Sequence, residues 1–282
     1  AIKKLGLTYE ALAAVNPSLV CVALTGYGLE GPHAERPAYD YVIQALTGVM
    51  TLTGEPGGPP CKAGYSAVDN SAGIMAALGL VAKLVEGRGG QVDVSLHDTM
   101  LSQLNYLASG WLNGNDLPER REGGGHPYIV PAQVFPTADG HLALFITHDD
   151  FWRRFAEVAG RTDWLEDPAF ATMAGRSASR DRVVAEIGAV LSTRTTAEWV
   201  EALEPRGVVV AGVQDLAASL ASDLVASRAM VAEIETEAGP LRLLGNPFKI
   251  AGVTPVYTAP PLLGEGLPED GPSPALSTAG LS

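Results

Sequence analysis

The chain has 282 residues, 46% of them hydrophobic, enough to bury a sizeable core in two domains or one large one and too many for a disordered protein. With 19 basic against 32 acidic side chains the net charge is −13, which argues against a nucleic-acid binder and against adhesion to an anionic membrane. Two cysteines, Cys21 and Cys61, form neither a disulfide framework nor a paired metal motif and point to a reducing, cytosolic (cytoplasmic) setting. No apolar run is read as long enough to span a membrane, and no charged-then-apolar leader opens the chain.

In chain order, Tyr9 to Val15 reads as a short helix stopped by Asn16-Pro17. Leu19 to Leu24 is a continuous apolar run, the pattern of a strand buried on both faces in a parallel sheet. The Thr25-Gly26-Tyr27-Gly28 loop follows at the carboxyl end of that strand, where ligands bind in open α/β sheets. Tyr39 to Met50 is expected to be helical, and Gly54 to Pro60 a Gly/Pro loop. A longer helix should start near Asp69 and run to Glu86. Its face is expected to be Ile74, Ala77, Leu78, Val81, Leu84 and Val85, with Asp69 as N-cap or next to it.

Gln91 to Ser95 alternates as a strand, and Leu96 to Trp111 has helical spacing. Asn113 to Pro127 turns polar and glycine-rich, as a linker or functional loop. Strands are predicted at Ala132 to Phe135 and Gly140 to Thr147, around a Thr137-Ala138-Asp139-Gly140 turn. Helices are predicted at Asp150 to Ala159, Ser179 to Leu191 and Thr196 to Leu203, and a strand at Val208 to Val210. Met230 to Ile234 and Pro240 to Leu244 suggest a hairpin, and 271–282 is expected to be disordered.

The chemistry centres on Asp69. A carboxylate at a helix N-terminus is favoured in its ionised form by unpaired backbone N–H groups, and an ionised carboxylate can attack an activated acyl group. A cap alone would need no more than that residue, but Gly64 and Gly73 allow close approach around it. Gly123-Gly124-Gly125 can present successive N–H groups to an oxyanion, although triple glycine is also the composition of a plain linker. Lys3, Lys4, Arg36 and Lys62 are candidate phosphate partners. The histidines at 33, 97, 126, 141 and 148 lack metal-ligand spacing, so no metal is expected. The residues by themselves define an acidic α/β protein with a candidate carboxylate site.

Several stretches in order resemble the class III CoA-transferases of the CaiB/BaiF type. They include Pro37 to Met50, Thr53-Gly54-Glu55-Pro56, the Asp69-x-x-x-Gly73 step and Gly87 to Ser95. Downstream lie His126 to Pro131, Arg194-Thr195-Thr196 with Glu198-Trp199, and Gly245 to Lys249. The similarity runs to about Glu265 and extends to formyl-CoA transferase, a member of that family. It implies a fold: a Rossmann-like large domain (1–115, its N-terminal portion missing), a small α/β domain (116–215), and a return segment with a tail (216–282). It also implies an interlocked homodimer, no nucleic-acid or membrane partner, and coenzyme A carried between an acyl-CoA and a carboxylic acid.

The same resemblance implies Asp69 as the nucleophile that forms an aspartyl anhydride and then an aspartyl-CoA thioester, with Asp40 beside it in catalysis. Lys4, Leu5, Arg36, Tyr39, Gly123, Gly124 and Gly125 would surround the CoA. The related α-methylacyl-CoA racemases carry a His at the position of Tyr39, and a phenol titrating near ~10 suits their proton exchange poorly at neutral pH. Transferase is therefore expected over racemase, with a non-catalytic partial chain as the remaining reading.

Overall fold

The computed structural model describes residues 2–261. The chain divides into two compact units, Ala1–Val213 and Gln214–Ser282. The expected disorder of 271–282 lies outside the described residues.

The first unit opens with α1 (Tyr9–Val15), β1 (Val20–Thr25), α2 (Asp40–Leu46), α3 (Val49–Leu52), α4 (Ala67–Glu86), β2 (Gly90–Ser95), α5 (Leu96–Gln103) and α6 (Asn105–Gly114). β1 and β2 pair in parallel, Val20 opposite Gly90 and Thr25 opposite Ser95. α4 is the connection that returns between them and packs on both strands and on α5. β1 is not buried on both faces as its apolar run suggested. Only Ala23 is buried and Leu24 is exposed, in a sheet that among the described residues has two strands.

Two predicted helices are each broken in two. Gly48, at φ +84°, separates α2 from α3, and the break between α5 and α6 falls at Leu104, next to Asn105 at φ +23°. Where these elements meet, Ile43, Val68 and Met100 form a small core, with Tyr27, Ala38, Val49 and Leu96 around it.

The inward side of α4 is built from small residues. Ala72 is fully buried, and a Cβ added at Gly79 would sit 2.8 Å from a Val92 methyl. The larger Ile74, Leu78, Val81, Leu84 and Val85, expected to form the buried face, are 54–83% exposed. Close approach to β2 selects the small face. Contrary to the sequence expectation, Ala67–Glu86 is by length and composition alone long and apolar enough to cross a membrane. α4 packs on β1 and β2 through its small face, and its large apolar side chains stay exposed.

The remainder of this unit contains β3 (Ala132–Pro136), β4 (His141–Phe145), α7 (Asp149–Val158), α8 (Met173–Ala178), α9 (Arg180–Leu191), α10 (Thr196–Leu203) and β5 (Val209–Gly212). Its antiparallel sheet has the order β3-β4-β5. α7 buries Trp152, Phe155 and Ala156 at i, i+3, i+4 and turns Asp150, Arg153 and Glu157 outward into ion pairs. α9 contributes Val183, Ile187 and Leu191, and α10 starts on a capping box between Thr195 and Glu198.

Trp152, Trp164 and Phe170 stack in the centre, the last two with centroids 5.3 Å apart. This core draws on residues 130–210 and the smaller one on residues 27–100. The second unit contains α11 (Leu216–Leu220), α12 (Asp223–Ser227) and a hairpin, β6 (Val231–Thr236) with β7 (Gly239–Leu244), turned by Gly239 at φ +105°.

Candidate active site

Asp69 is the third residue of α4 and not its cap. Ser66 stands at the N-cap position without a side-chain cap bond. The cap comes instead from another helix. Asp40 Oδ2 accepts the Val68 N–H at 2.8 Å and the Asp69 N–H at 3.4 Å, satisfying donors that a helix start leaves orphaned. Asp40 Oδ1 accepts the Gln44 amide at 2.7 Å, and Gln44 Oε1 accepts the Ala63 N–H at 2.9 Å.

Asp40 and Gln44 are both buried, so this chain of bonds fixes the loop 61–66 and the first turn of α4 against α2. Both Asp40 oxygens are spent on this bracing, which is the geometry of a positioning residue. The Asp69 carboxylate, by contrast, is exposed and makes no hydrogen bond or ion pair among the described residues. A free carboxylate on a braced helix start is what nucleophilic attack requires.

The three glycines do not present free donors, as the sequence had suggested. Gly123 N–H points to both oxygens of Glu55, at 3.1 and 3.2 Å. Gly124 N–H is bonded to the Arg121 carbonyl and Gly125 N–H to that of Glu122. They line a cavity of about 500 Å³ together with His126, Tyr106 and Phe145. Asp69, Asp40 and Tyr39 are not among its walls.

His126 Nδ1 accepts two backbone N–H groups, from Tyr128 and Ile129, both at 3.1 Å, which puts the proton of the neutral ring on Nε2. Burial, with Arg180 nearby, pushes the pKa of this imidazole down. The ring stacks on Tyr106 with centroids 5.7 Å apart. His126, part of the stretch that carries the family resemblance, thus lines this cavity with its proton on Nε2, a tautomer that the two backbone donors fix.

The remaining candidates are dispersed. Tyr39 is 76% exposed at the N-cap of α2 and makes no cap bond. Arg36 lines a cavity of about 260 Å³ with Tyr27, His33 and His97, at the carboxyl end of β1. Its guanidinium lies 5.7 Å over the Tyr27 ring. Lys4 and Leu5 occupy an exposed 3-10 turn. Two residues went unnoticed in the sequence. Gln44 was legible as the i+4 partner of Asp40. Arg120 had no local signal: its guanidinium donates to the carbonyls of Met50, Thr51, Gly58 and Pro59 at 2.6–3.0 Å and clasps the Gly/Pro loop.

The sequence matches CoA-transferase family III over residues 1–266, and the chain belongs to that family. It is 33% identical over 272 residues to an acyl-CoA transferase of Fusarium pseudograminearum, covering 94% of this chain and 59% of that one. It is 31% identical to the acetyl-CoA:oxalate CoA-transferase of Acetobacter aceti, covering 91% and 66%.

The fold superposes on the orthorhombic crystal structure of Rv3272 from M. tuberculosis with a TM-score of 0.81 at 27% identity, covering 92% of this chain and 70% of that one. The chain thus spans about three-fifths to two-thirds of the length of these curated relatives.

Proposed function

We propose that this protein transfers coenzyme A from an acyl-CoA to a carboxylic acid through covalent intermediates on Asp69. The observation that carries the reading is the Asp69 carboxylate, exposed and unpaired, on a helix start held by Asp40. In the first step a carboxylate oxygen of Asp69 attacks the thioester carbon, giving a mixed anhydride and CoA thiolate. The thiolate then attacks the Asp69 acyl carbon, releasing the donor acid and leaving an aspartyl-CoA thioester. The acceptor carboxylate attacks that thioester, and thiolate attack on the resulting anhydride's substrate carbonyl frees acceptor-CoA and Asp69.

Separation of charge onto thiolate favours a hydrogen-bond donor nearby, and His126 Nε2–H in the glycine-lined cavity is suited to that task. Arg36 and Lys4 are the cations assigned to CoA phosphates, with Leu5 and Tyr39 as its apolar and aromatic neighbours. A Rossmann-like large domain spanning 1–115, a small domain spanning 116–215, an interlocked homodimer and a cytosolic location complete the reading.

Asp69→Asn tests it. The exchange of label between an acyl-CoA and its free acid should fall at least about a thousandfold. Hydroxylamine added with the acyl-CoA should leave a hydroxamate on the peptide that holds Asp69. Undiminished exchange in the variant, or a hydroxamate elsewhere, overturns the mechanism.

A further inference from the structure

The glycine-lined cavity adjoins a larger one. Leu52, Leu107, Pro118 and Glu119 are walls of both, and the second has a volume of about 1200 Å³. That is above the ~300–1,000 Å³ of ordinary small-molecule sites. Its apolar lining includes Leu52, Leu104, Leu107, Ala108, Trp111 and Leu117.

The polar side chains on its wall are turned away from a ligand. Thr47, Thr51 and Ser102 each donate their hydroxyl to a backbone carbonyl, those of Ile43, Gly48 and Thr99, at 2.7–2.8 Å. Among the described residues Arg120 is the one cation of the wall, and its guanidinium is occupied by the carbonyls of the Gly/Pro loop. Glu119 is left without a hydrogen-bond or ion-pair partner among the described residues. A second carboxylate on a substrate would therefore meet no cation and one like charge. A chain of methylenes would meet complementary surface.

Distance permits the connection. Asp40, which braces Asp69, starts α2, and Thr47 follows its other end seven residues on. At 1.5 Å per residue that is about 10 Å along the helix. From these observations we infer that the acyl group handled by this protein is an extended apolar chain, seated in the cavity between α2–α3 and α6, and not a short dicarboxylate half-ester. The inference rests on the CoA-transferase reading above and names the substrate class of that site.

The molecule carries its own probe. Trp152, Trp164 and Trp199 are 0–1% exposed in the core, whereas Trp111 is 48% exposed and lines the cavity. Titration with 9,10-dibromostearic acid, and with its CoA thioester, should quench tryptophan emission saturably at one ligand per chain. The quenching should vanish in Trp111→Phe. Ala108→Phe, which fills the cavity and keeps Trp111, should weaken binding by at least about tenfold. Unchanged emission of the buried trio shows that each variant is folded.

Octanoate should displace the probe and glutarate should not. Tighter binding of the thioester, reversed by free CoA, marks the chain as the donor's; equal binding of the free acid marks it as the acceptor's. Both outcomes support an apolar acyl group. Absence of saturable quenching, equal displacement by glutarate, or full binding in Ala108→Phe overturns the inference. Calorimetric titration with CoA alone keeps the two readings apart, since CoA binding without chain binding refutes this one and leaves the transferase reading standing.

Discussion

Asp40 is where the structure makes its sharpest energetic claim. Substituting Asp40→Ala removes the acceptor for the first-turn N–H groups of Val68 and Asp69 and strands the amide of Gln44, which is fully buried. Loss of a helix cap costs about 0.5–2 kcal/mol. A buried amide left without its partner costs about 1–3 kcal/mol. Together they give a loss of about 1.5–5 kcal/mol, with a fall in Tm of about 3–20 °C at the 2–4 °C per kcal/mol usual for a unit of this size.

Asp40→Asn retains one acceptor oxygen and turns an NH2 toward a donor, so its loss should be about half as large. Urea unfolding followed by far-UV circular dichroism measures both, with an unchanged m-value confirming that the same surface unfolds. A cycle with Gln44→Ala should show coupling of about 1 kcal/mol between the two residues. A loss below about 0.5 kcal/mol in Asp40→Ala would refute the view that this carboxylate holds the start of α4.

Three other consequences are testable by the same means. The proton of His126 is excluded from Nδ1 by two backbone donors, and burial keeps its pKa below the usual 6.5. The unfolded chain takes up that proton at a higher pH than the folded one. The contribution is therefore complete above about pH 6.5 and is lost as pH falls from there toward the folded value. The urea midpoint should drop across that window and flatten in His126→Asn, whose Oδ1 can accept the same bonds. Asp139, held below its usual 3.8 by bonds from Thr196, gives a contribution that is complete above about pH 3.8 and is lost only as pH falls below it, outside the His126 window.

Arg176, fully buried, donates to the carbonyls of Val130 and Phe170 and to Asp149. Arg176→Met should cost about 3 kcal/mol by stranding those carbonyls. Asp149→Asn should cost under about 1, since Asp149 is 58% exposed. On α4, Gly73 has open space where a Cβ would go and Gly79 does not. In denaturation, Gly73→Ala should stabilise by roughly 1 kcal/mol, whereas Gly79→Ala should lose that gain and more against the stiff Val92 side chain.

Local rules made the elements legible and failed where a partner lay far away in sequence. Tyr9–Val15, Arg180–Leu191, Thr196–Leu203 and the Val231–Leu244 hairpin follow periodicity and caps that sit within a few residues of each other. Asp69 was placed at or next to the cap because cap rules look just before the helix, and the actual acceptor is 29 residues upstream on α2. Gly123 reads as a free donor until Glu55, 68 residues away, is placed beside it. Arg120 reads as a surface charge until its carbonyl partners, 61–70 residues earlier, fold around it. In each case the decisive bond is tertiary, and nothing in the local pattern encodes it.

α4 shows the same limit in packing terms. Periodicity identifies an apolar face by size, which points to Ile74, Leu78, Val81 and Val85 as the buried one. The sheet imposes a different criterion, distance of approach, and Ala72 and Gly79 meet it because they lack bulk. A helix apolar all round satisfies both criteria on different faces, so its composition cannot say which face is inside. Asp69 is unaffected by this ambiguity, because its position depends on the backbone N–H groups at the helix start and on Asp40, and not on which side of α4 is covered.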